Sequence, residues 1–171
     1  MKSLCVIGSL NMDLVITVER FPKQGEIILG NSFKNFPGGK GANQAVALGR
    51  LGADVLMVGK VGEDIYGTKY LEFLEIDNVR RYGVNIEKGI SSGVAGIQVN
   101  SKGENNIVVV SGANAEFDIK KYIESKWSII EKADIFLFQL EISMITAIDT
   151  MKKLKAQGKR NRLSLFNNPF I

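Results

Sequence analysis

The chain has 171 residues, 45% of them hydrophobic and 23% charged, with 18 glycines and 3 prolines. This is ordinary globular material, large enough to enclose a core, and not a collagen-like or disordered chain. The absence of histidine and the single cysteine exclude a Ser-His-Asp or Cys-His nucleophile, a histidine or cysteine-cluster metal site and an internal disulfide.

Met1-Lys2-Ser3 leads into an apolar run ending at Gly8 that is too short for a signal peptide. No stretch has the length of a membrane span. A cytoplasmic setting is the expectation, and no membrane partner is foreseen. Residues 4–7 form a continuous apolar run that predicts a buried parallel strand, with Cys5 as a small buried hydrophobe in it. Residues 15–18 and 27–29 flank the turn-rich Phe21-Pro22-Lys23-Gln24-Gly25 and read as a half-exposed antiparallel hairpin. A helix opens after Gly41, where Ala42, Ala45, Val46 and Gly49 present a small-residue face. Residues 55–58 give a second buried strand. A helix follows Asp64, with Gly67, Tyr70, Leu71 and Leu74 on one side.

A second hairpin is predicted from residues 94–99 and 107–110 around a polar turn. Asp118 reads as the N-cap of a helix whose stripe is Ile119, Tyr122, Ile123, Trp127 and Ile130, with Trp127 a core residue. Residues 135–140 make a third buried strand. Ser143 then caps a helix in which Met144, Ile145, Ile148, Met151 and Leu154 recur at helical spacing, and Gly158 ends it. The resulting class is α/β: a parallel sheet flanked by helices, plus a small antiparallel sheet built from two insertions.

The formal charge of +4 is uneven, because Lys152, Lys153, Lys155, Lys159, Arg160 and Arg162 lie in residues 150–171, where no acid occurs. The rest of the chain is slightly acidic. The cations read as the solvated face and last turn of one helix, and no nucleic-acid partner is expected.

In open α/β sheets, ligands bind beyond the carboxyl ends of the parallel strands. The first strand runs into Gly8-Ser9-Leu10-Asn11-Met12-Asp13, the second into Gly59-Lys60-Val61-Gly62-Glu63-Asp64 and the third into Gln139-Leu140-Glu141. Asp64 reads equally as a helix cap. Asn11, Asp13 and Glu141 together point to a polar small-molecule site. The densest feature is Phe36-Pro37-Gly38-Gly39-Lys40-Gly41-Ala42-Asn43-Gln44-Ala45. It is not a P-loop, because Lys34 stands at the first glycine position and Gly41 at the hydroxyl position. It is not a dinucleotide loop, because Gln44 stands where a small residue is needed. What remains is a side-chain-poor backbone at a helix N-terminus, able to approach a ligand and offer N–H donors, with Lys40 and Asn43 as further donors.

These residues resemble the N-terminal half of the ribokinase, or PfkB, family of carbohydrate kinases. The likeness rests on the run Gly38 to Ala45 followed by Gly52 and Gly62. It also rests on Gly8 to Asp13, Gly25-Glu26, Gly62 to Gly67, Ser111-Gly112-Ala113-Asn114 and Gln139-Leu140-Glu141, all in family order. It covers residues 1–158, and within the family it is most similar to ribokinase.

The resemblance implies a ribokinase-like fold in which residues 14–36 and 93–111 form a lid over the α/β core. It implies a ribose-like sugar held by Asn11 and Asp13 and gripped by Gly38, Gly39, Lys40, Gly41 and Asn43. Glu141 would bind the sugar or orient Lys40. Ala95 and Ile97 would be either an apolar sugar-facing wall or plain sheet packing. It further implies ATP and Mg2+ as cofactors, a monovalent cation in some members, and a homodimer paired through the lids.

The family's catalytic aspartate and oxyanion amides lie in a Gly-Ala-Gly-Asp segment that this chain does not contain. No catalytic residue and no metal ligand is therefore assigned. Residues 1–171 read as the N-terminal part of one domain, ending where a family strand and an Asn-Pro turn are expected, with Lys159-Arg160-Asn161-Arg162 as an irregular stretch. A frameshift, a premature stop or a deliberate boundary would each account for such an ending. Two functional readings stand: the sugar-binding and lid half of a ribose kinase, inactive alone; or a non-enzymatic sugar-binding or dimerising module, with a non-functional truncated product as the bland variant.

Overall fold

The computed structural model describes residues 2–164, apart from the side chains of Ile119 and Lys120. The expected Asn-Pro turn at Asn168-Pro169 lies outside the described residues. Continuous apolar runs can only be buried on both faces, and they form the centre of a five-stranded parallel sheet. Its strands are β1 (Ser3–Ile7), β4 (Asp54–Gly62), β5 (Val79–Glu87), β8 (Ile135–Gln139) and β9 (Arg160–Ser164), in the order β5-β4-β1-β8-β9. Alternation along β1 sends Cys5 and Ile7 to one face and Val6 to the other. The Cys5 face packs with Leu56, Phe136 and Phe138 against Tyr122, Ile123, Ile130 and Leu154. The Val6 face packs with Val55 and Met57 against Ala42, Ala45, Tyr70 and Leu74.

Helix α1 (Lys40–Arg50) buries Gly41, Ala42, Ala45 and Gly49, the small face that lets it lie close on the sheet. Helix α2 (Ile65–Ile76) starts where the Asp64 carboxylate accepts the Gly67 N–H at 2.8 Å. The helix expected from Asp118 is broken. Asp118 does accept the Lys121 N–H, but a single π-type turn, Ile119–Ile123, precedes a short α3, Trp127–Ile130. Trp127 is only partly buried, and Lys153 Nζ sits 4.0 Å above its ring.

Helix α4 (Met144–Ala156) has the expected Ser143 cap but not the expected face. It buries Thr146, Ala147, Thr150 and Leu154, while Met144, Ile145 and Ile148 are exposed. The threonines can face inward because each hydroxyl has an acceptor: Thr146 donates to Phe117 O and Thr150 to Thr146 O.

The second sheet contains β2 (Asn11–Thr17), β3 (Ser32–Gly38), β6 (Gly93–Val99) and β7 (Asn105–Val110), in the order β3-β2-β6-β7. Two corrections apply. Residues 27–29 are not a strand; Ile27 and Leu29 are almost fully exposed, and the partner of β2 is β3, with Asn11 opposite Gly38. The sheet is not wholly antiparallel either. Each hairpin is, but β2 and β6 pair in parallel, because both first strands leave the same rim of the core sheet in the same direction. Arg160, Asn161 and Arg162, read as irregular, join Leu163 and Ser164, where a family strand is expected, in a strand parallel to β8. β5 was not foreseen.

Candidate functional site

The register of the second sheet sets the inner surface of a cleft over the carboxyl rim of the core. Asp13 pairs with Ala95, which pairs with Val109; Val15 pairs with Ile97, which pairs with Ile107. Cross-strand partners share a face, so Asp13, Ala95, Ile97, Val109 and Ile107 all point the same way. Facing them are Gly39, Lys40 and Asn43 from the start of α1, and Glu141 from beyond β8. With Asn11 these ten residues line a cleft of about 640 Å³.

Eight of the ten residues singled out from the sequence therefore come together: Asn11, Asp13, Gly39, Lys40, Asn43, Ala95, Ile97 and Glu141. Gly38 and Gly41 do not line the cleft. A Cβ on Gly38 would lie 2.3 Å from the Asp13 carboxylate, and one on Gly41 2.6 Å from Ser9 N. Both glycines give room to neighbours. Ile107 and Val109, from the fully exposed β7, were missed; the alternation of β7 held the signal, but only pairing with β6 reveals it.

The N-terminus of α1 is organised by Glu141. Its Oε2 accepts the Ser9 hydroxyl at 2.6 Å and the Lys40 N–H at 3.0 Å, while Oε1 lies 3.3 Å from Lys40 Nζ. Gly39, the N-cap, has no side chain to do this, so a carboxylate from another element takes the place that favours negative charge. Ser9 completes it: its carbonyl accepts the Ala42 N–H and its hydroxyl the Gly41 N–H. The Lys40, Gly41 and Ala42 amides are thus engaged within the chain, and the Lys40 and Asn43 side chains are donors at the cleft. Of the two roles expected for Glu141, the geometry shows it holding Lys40.

Asp13 is half-buried, and its carboxyl is pushed up to about 6, first by burial and then by the nearby charge of Glu141. Burial also pushes the Tyr70 phenol up, helped by Asp13 and Glu141; its hydroxyl donates to Gly38 O beneath the glycine loop. Asn11 is 5% exposed, and its Oδ1 accepts a bond from the Asn114 amide at 2.8 Å.

Asp64 plays its capping role. It accepts the Ser92 N–H and hydroxyl, both at 2.7 Å, as well as Gly67 N–H, tying α2 to the base of β6. Burial alone would raise its carboxyl, but these bonds hold it below its ordinary value.

Chemically, the cleft offers a carboxylate acceptor, amide and ammonium donors, and an apolar wall of Ala95, Ile97, Ile107 and Val109. That combination suits a small polyhydroxylated ligand, whose hydroxyls need both donors and acceptors and whose C–H faces need apolar cover. Among the described residues, no group of three or more His, Cys, Asp or Glu is placed to hold a metal ion, and no helix is long and apolar enough to cross a membrane.

Comparison with known proteins agrees with this geometry. The pattern of the pfkB family carbohydrate kinases matches residues 1–170. Ribokinase from Bacillus subtilis is 49% identical over 152 residues, which are 89% of this chain and 51% of that protein. Mouse ribokinase is 37% identical over 96% of this chain and 50% of its own length. The chain thus spans about half the length of the curated relatives it matches. The structure of Arabidopsis thaliana ribokinase complexed with ribose and ATP superimposes with a TM-score of 0.89 at 32% identity, covering 98% of this chain and 54% of that one. With the family pattern extending over nearly its whole length, the chain belongs to the pfkB family of carbohydrate kinases.

Proposed function

We propose that residues 1–171 are the sugar-binding and lid half of a ribokinase-type enzyme, and that the cleft holds D-ribose or a closely similar sugar for phosphorylation by ATP. The observation that carries this reading is the convergence of Lys40, Asn43 and Glu141 from one side of the cleft with Asn11, Asp13 and the apolar wall of β6 and β7 from the other. In it, Asp13 accepts two sugar hydroxyls, Asn11, Lys40 and Asn43 donate to sugar oxygens, Gly39 allows close approach, and Ala95 and Ile97 cover the C–H face. The similarity to a ribokinase whose structure is complexed with ribose and ATP supports the choice of sugar.

ATP, Mg2+ and a monovalent cation belong to the whole enzyme of this reading. The described residues present no carboxylate cluster for a metal, and no step assigned to this chain involves one. Pairing of two copies through the lid is part of the same proposal. It is supported by Ile16, Phe33 and Val108, exposed on the lid face opposite the cleft. A soluble cytoplasmic protein of ribose metabolism fits these relatives.

The chain by itself is expected to bind sugar without turning it over, because it has no Gly-Ala-Gly-Asp segment to supply a base and oxyanion donors. Titration calorimetry with ribose tests the binding: heat that is lost in Asp13→Ala supports it, and no heat at millimolar ribose removes it. An ATP-coupled assay tests the second half, where ribose-dependent turnover by this chain would contradict the reading. Binding and dimerisation without any kinase partner would favour the non-enzymatic module instead.

A further inference from the structure

Asn114 is 1% exposed and sits on the short 3-10 segment Gly112–Glu116, far in sequence from Asn11. Its side chain is fully engaged. Oδ1 accepts the Leu10 N–H at 3.0 Å, and Nδ2 donates to Leu10 O at 3.0 Å and to Asn11 Oδ1 at 2.8 Å. The backbone groups of Leu10 admit only one orientation of this amide, since an N–H must meet an oxygen and a carbonyl must meet a nitrogen. The second hydrogen on Nδ2 then requires an acceptor, which fixes the Asn11 amide as well: its oxygen faces Asn114, and its nitrogen is the end left for a ligand. Gly93 closes over this bond, since a Cβ there would lie 2.2 Å from both Asn11 Oδ1 and Asn114 Nδ2.

We infer that Asn114 is a positioning residue that turns the donor end of Asn11 toward the cleft, so that Asn11 and Asp13 together read a pair of hydroxyls with opposite polarity. Asn11 donates to the oxygen of one hydroxyl, and the other hydroxyl donates to Asp13, two residues along the same face of β2. A ligand lacking either hydroxyl leaves a buried polar group unpaired and is disfavoured. This rests on the sugar-binding reading above, and it adds the residue that sets the polarity of the site.

The test is Asn114→Asp, an isosteric change that keeps the acceptor for Leu10 N–H but sets a carboxylate oxygen against Leu10 O and Asn11 Oδ1. Calorimetry at pH 8 is expected to show ribose affinity at least about tenfold weaker than in the wild type. The ratio of the two affinities is expected to narrow as the pH is lowered to 5.5, where protonation of the introduced carboxylate restores a donor. A purely structural contribution through Leu10 would leave the Asn11 NH2 resonances of the variant responding to ribose as in the wild type, whereas the inference predicts that this response is lost at pH 8 and returns at pH 5.5. A second measurement needs no variant: in the wild type, the side-chain NH2 resonances of Asn11 are expected to shift on titration with ribose.

Variant affinity within twofold of wild type at pH 8, a ratio that does not change with pH, or Asn11 NH2 signals unmoved at saturating ribose would each overturn the inference while leaving sugar binding intact. If the variant does not fold, the Asn11 signals decide. No ribose binding by the wild type would overturn both readings.

Discussion

With a sugar in the cleft as proposed, Asp13 is expected to make sugar binding and fold stability respond to acid in opposite directions. Its carboxyl is pushed from 3.8 up to about 6, first by burial and then by Glu141, so the folded chain takes up a proton as the pH falls through 6, well before the unfolded chain does. Stability from this group therefore falls as pH rises from about 4 to 6 and stays lower above that. The half-buried position means solvent screens the effect, which is discounted to about 1 kcal/mol.

Sugar binding is expected to have the opposite sign, because only the ionised carboxylate accepts two hydroxyls. At pH 5 about one-tenth of Asp13 is ionised, so ribose affinity is expected to be roughly tenfold lower than at pH 7, about 1.4 kcal/mol. Calorimetry across pH 5–8 reads the first effect. Chemical denaturation of wild type and Asp13→Asn over the same range reads the second, the variant being more stable at pH 7 by about 1 kcal/mol and indifferent to Asp13 titration. Ribose affinity that is flat from pH 8 to 5, or that rises toward acid, would refute the placement of an ionised Asp13 against the sugar.

Gly39 has φ +88°, and a Cβ there would lie 2.8 Å from Asn11 N and 2.9 Å from Ser9 O. Gly39→Ala is expected to cost about 2 kcal/mol or more in denaturant unfolding and to abolish ribose binding, since the clash displaces the Asn11 backbone. Asp64→Ala removes the acceptor for Gly67 and for both bonds from Ser92. A loss of about 2–3 kcal/mol is expected, with faster hydrogen exchange at Ser92 and Gly67, and a loss below about 0.5 kcal/mol would show the cap to be idle. On α4, Leu154→Ala is expected to cost about 2–5 kcal/mol because the side chain is fully buried. Ile145→Ser, at a 72% exposed position, should change stability by less than about 0.5 kcal/mol; equal effects of the two would contradict the described face of α4.

The central strands and two helix starts were legible because each announces itself locally. β1, β4 and β8 each contain an unbroken apolar run, and Asp64 and Ser143 sit where a cap is needed and accept the bond a cap should. Of the edge strands, Val79–Glu87 was not legible, and Arg160–Ser164 was expected only in its last residues, from the resemblance. Arg160–Ser164 and Val79–Glu87 carry charged residues because sheet edges meet solvent, so their sequences lack the apolar run that marks a central strand. The stripe of α4 misled for another reason. Thr146 and Thr150 bury their hydroxyls with partners supplied by the fold, and spacing alone cannot reveal those partners.

In the site, Asn11, Asp13, Lys40 and Glu141 were readable from their position at strand ends and the glycine loop. Asn114, Ile107 and Val109 were not assigned, because their place depends on pairings across most of the chain. At two positions of the glycine loop the fold supplies a packing reason that the sequence did not show, since Gly38 and Gly41 make room for Asp13 and Ser9.

The central claim is that a ribose-like sugar lies in the cleft between the glycine loop and the second sheet. Backbone amide NMR of the chain during a ribose titration tests it most directly. The account predicts saturable shifts concentrated at Asn11, Asp13, Gly39, Lys40, Asn43, Ala95 and Glu141, all lining one cleft. Shifts confined to the groove between α4 and β9, around Ile148, Met151 and Leu163, or no saturable shifts at all, would contradict it.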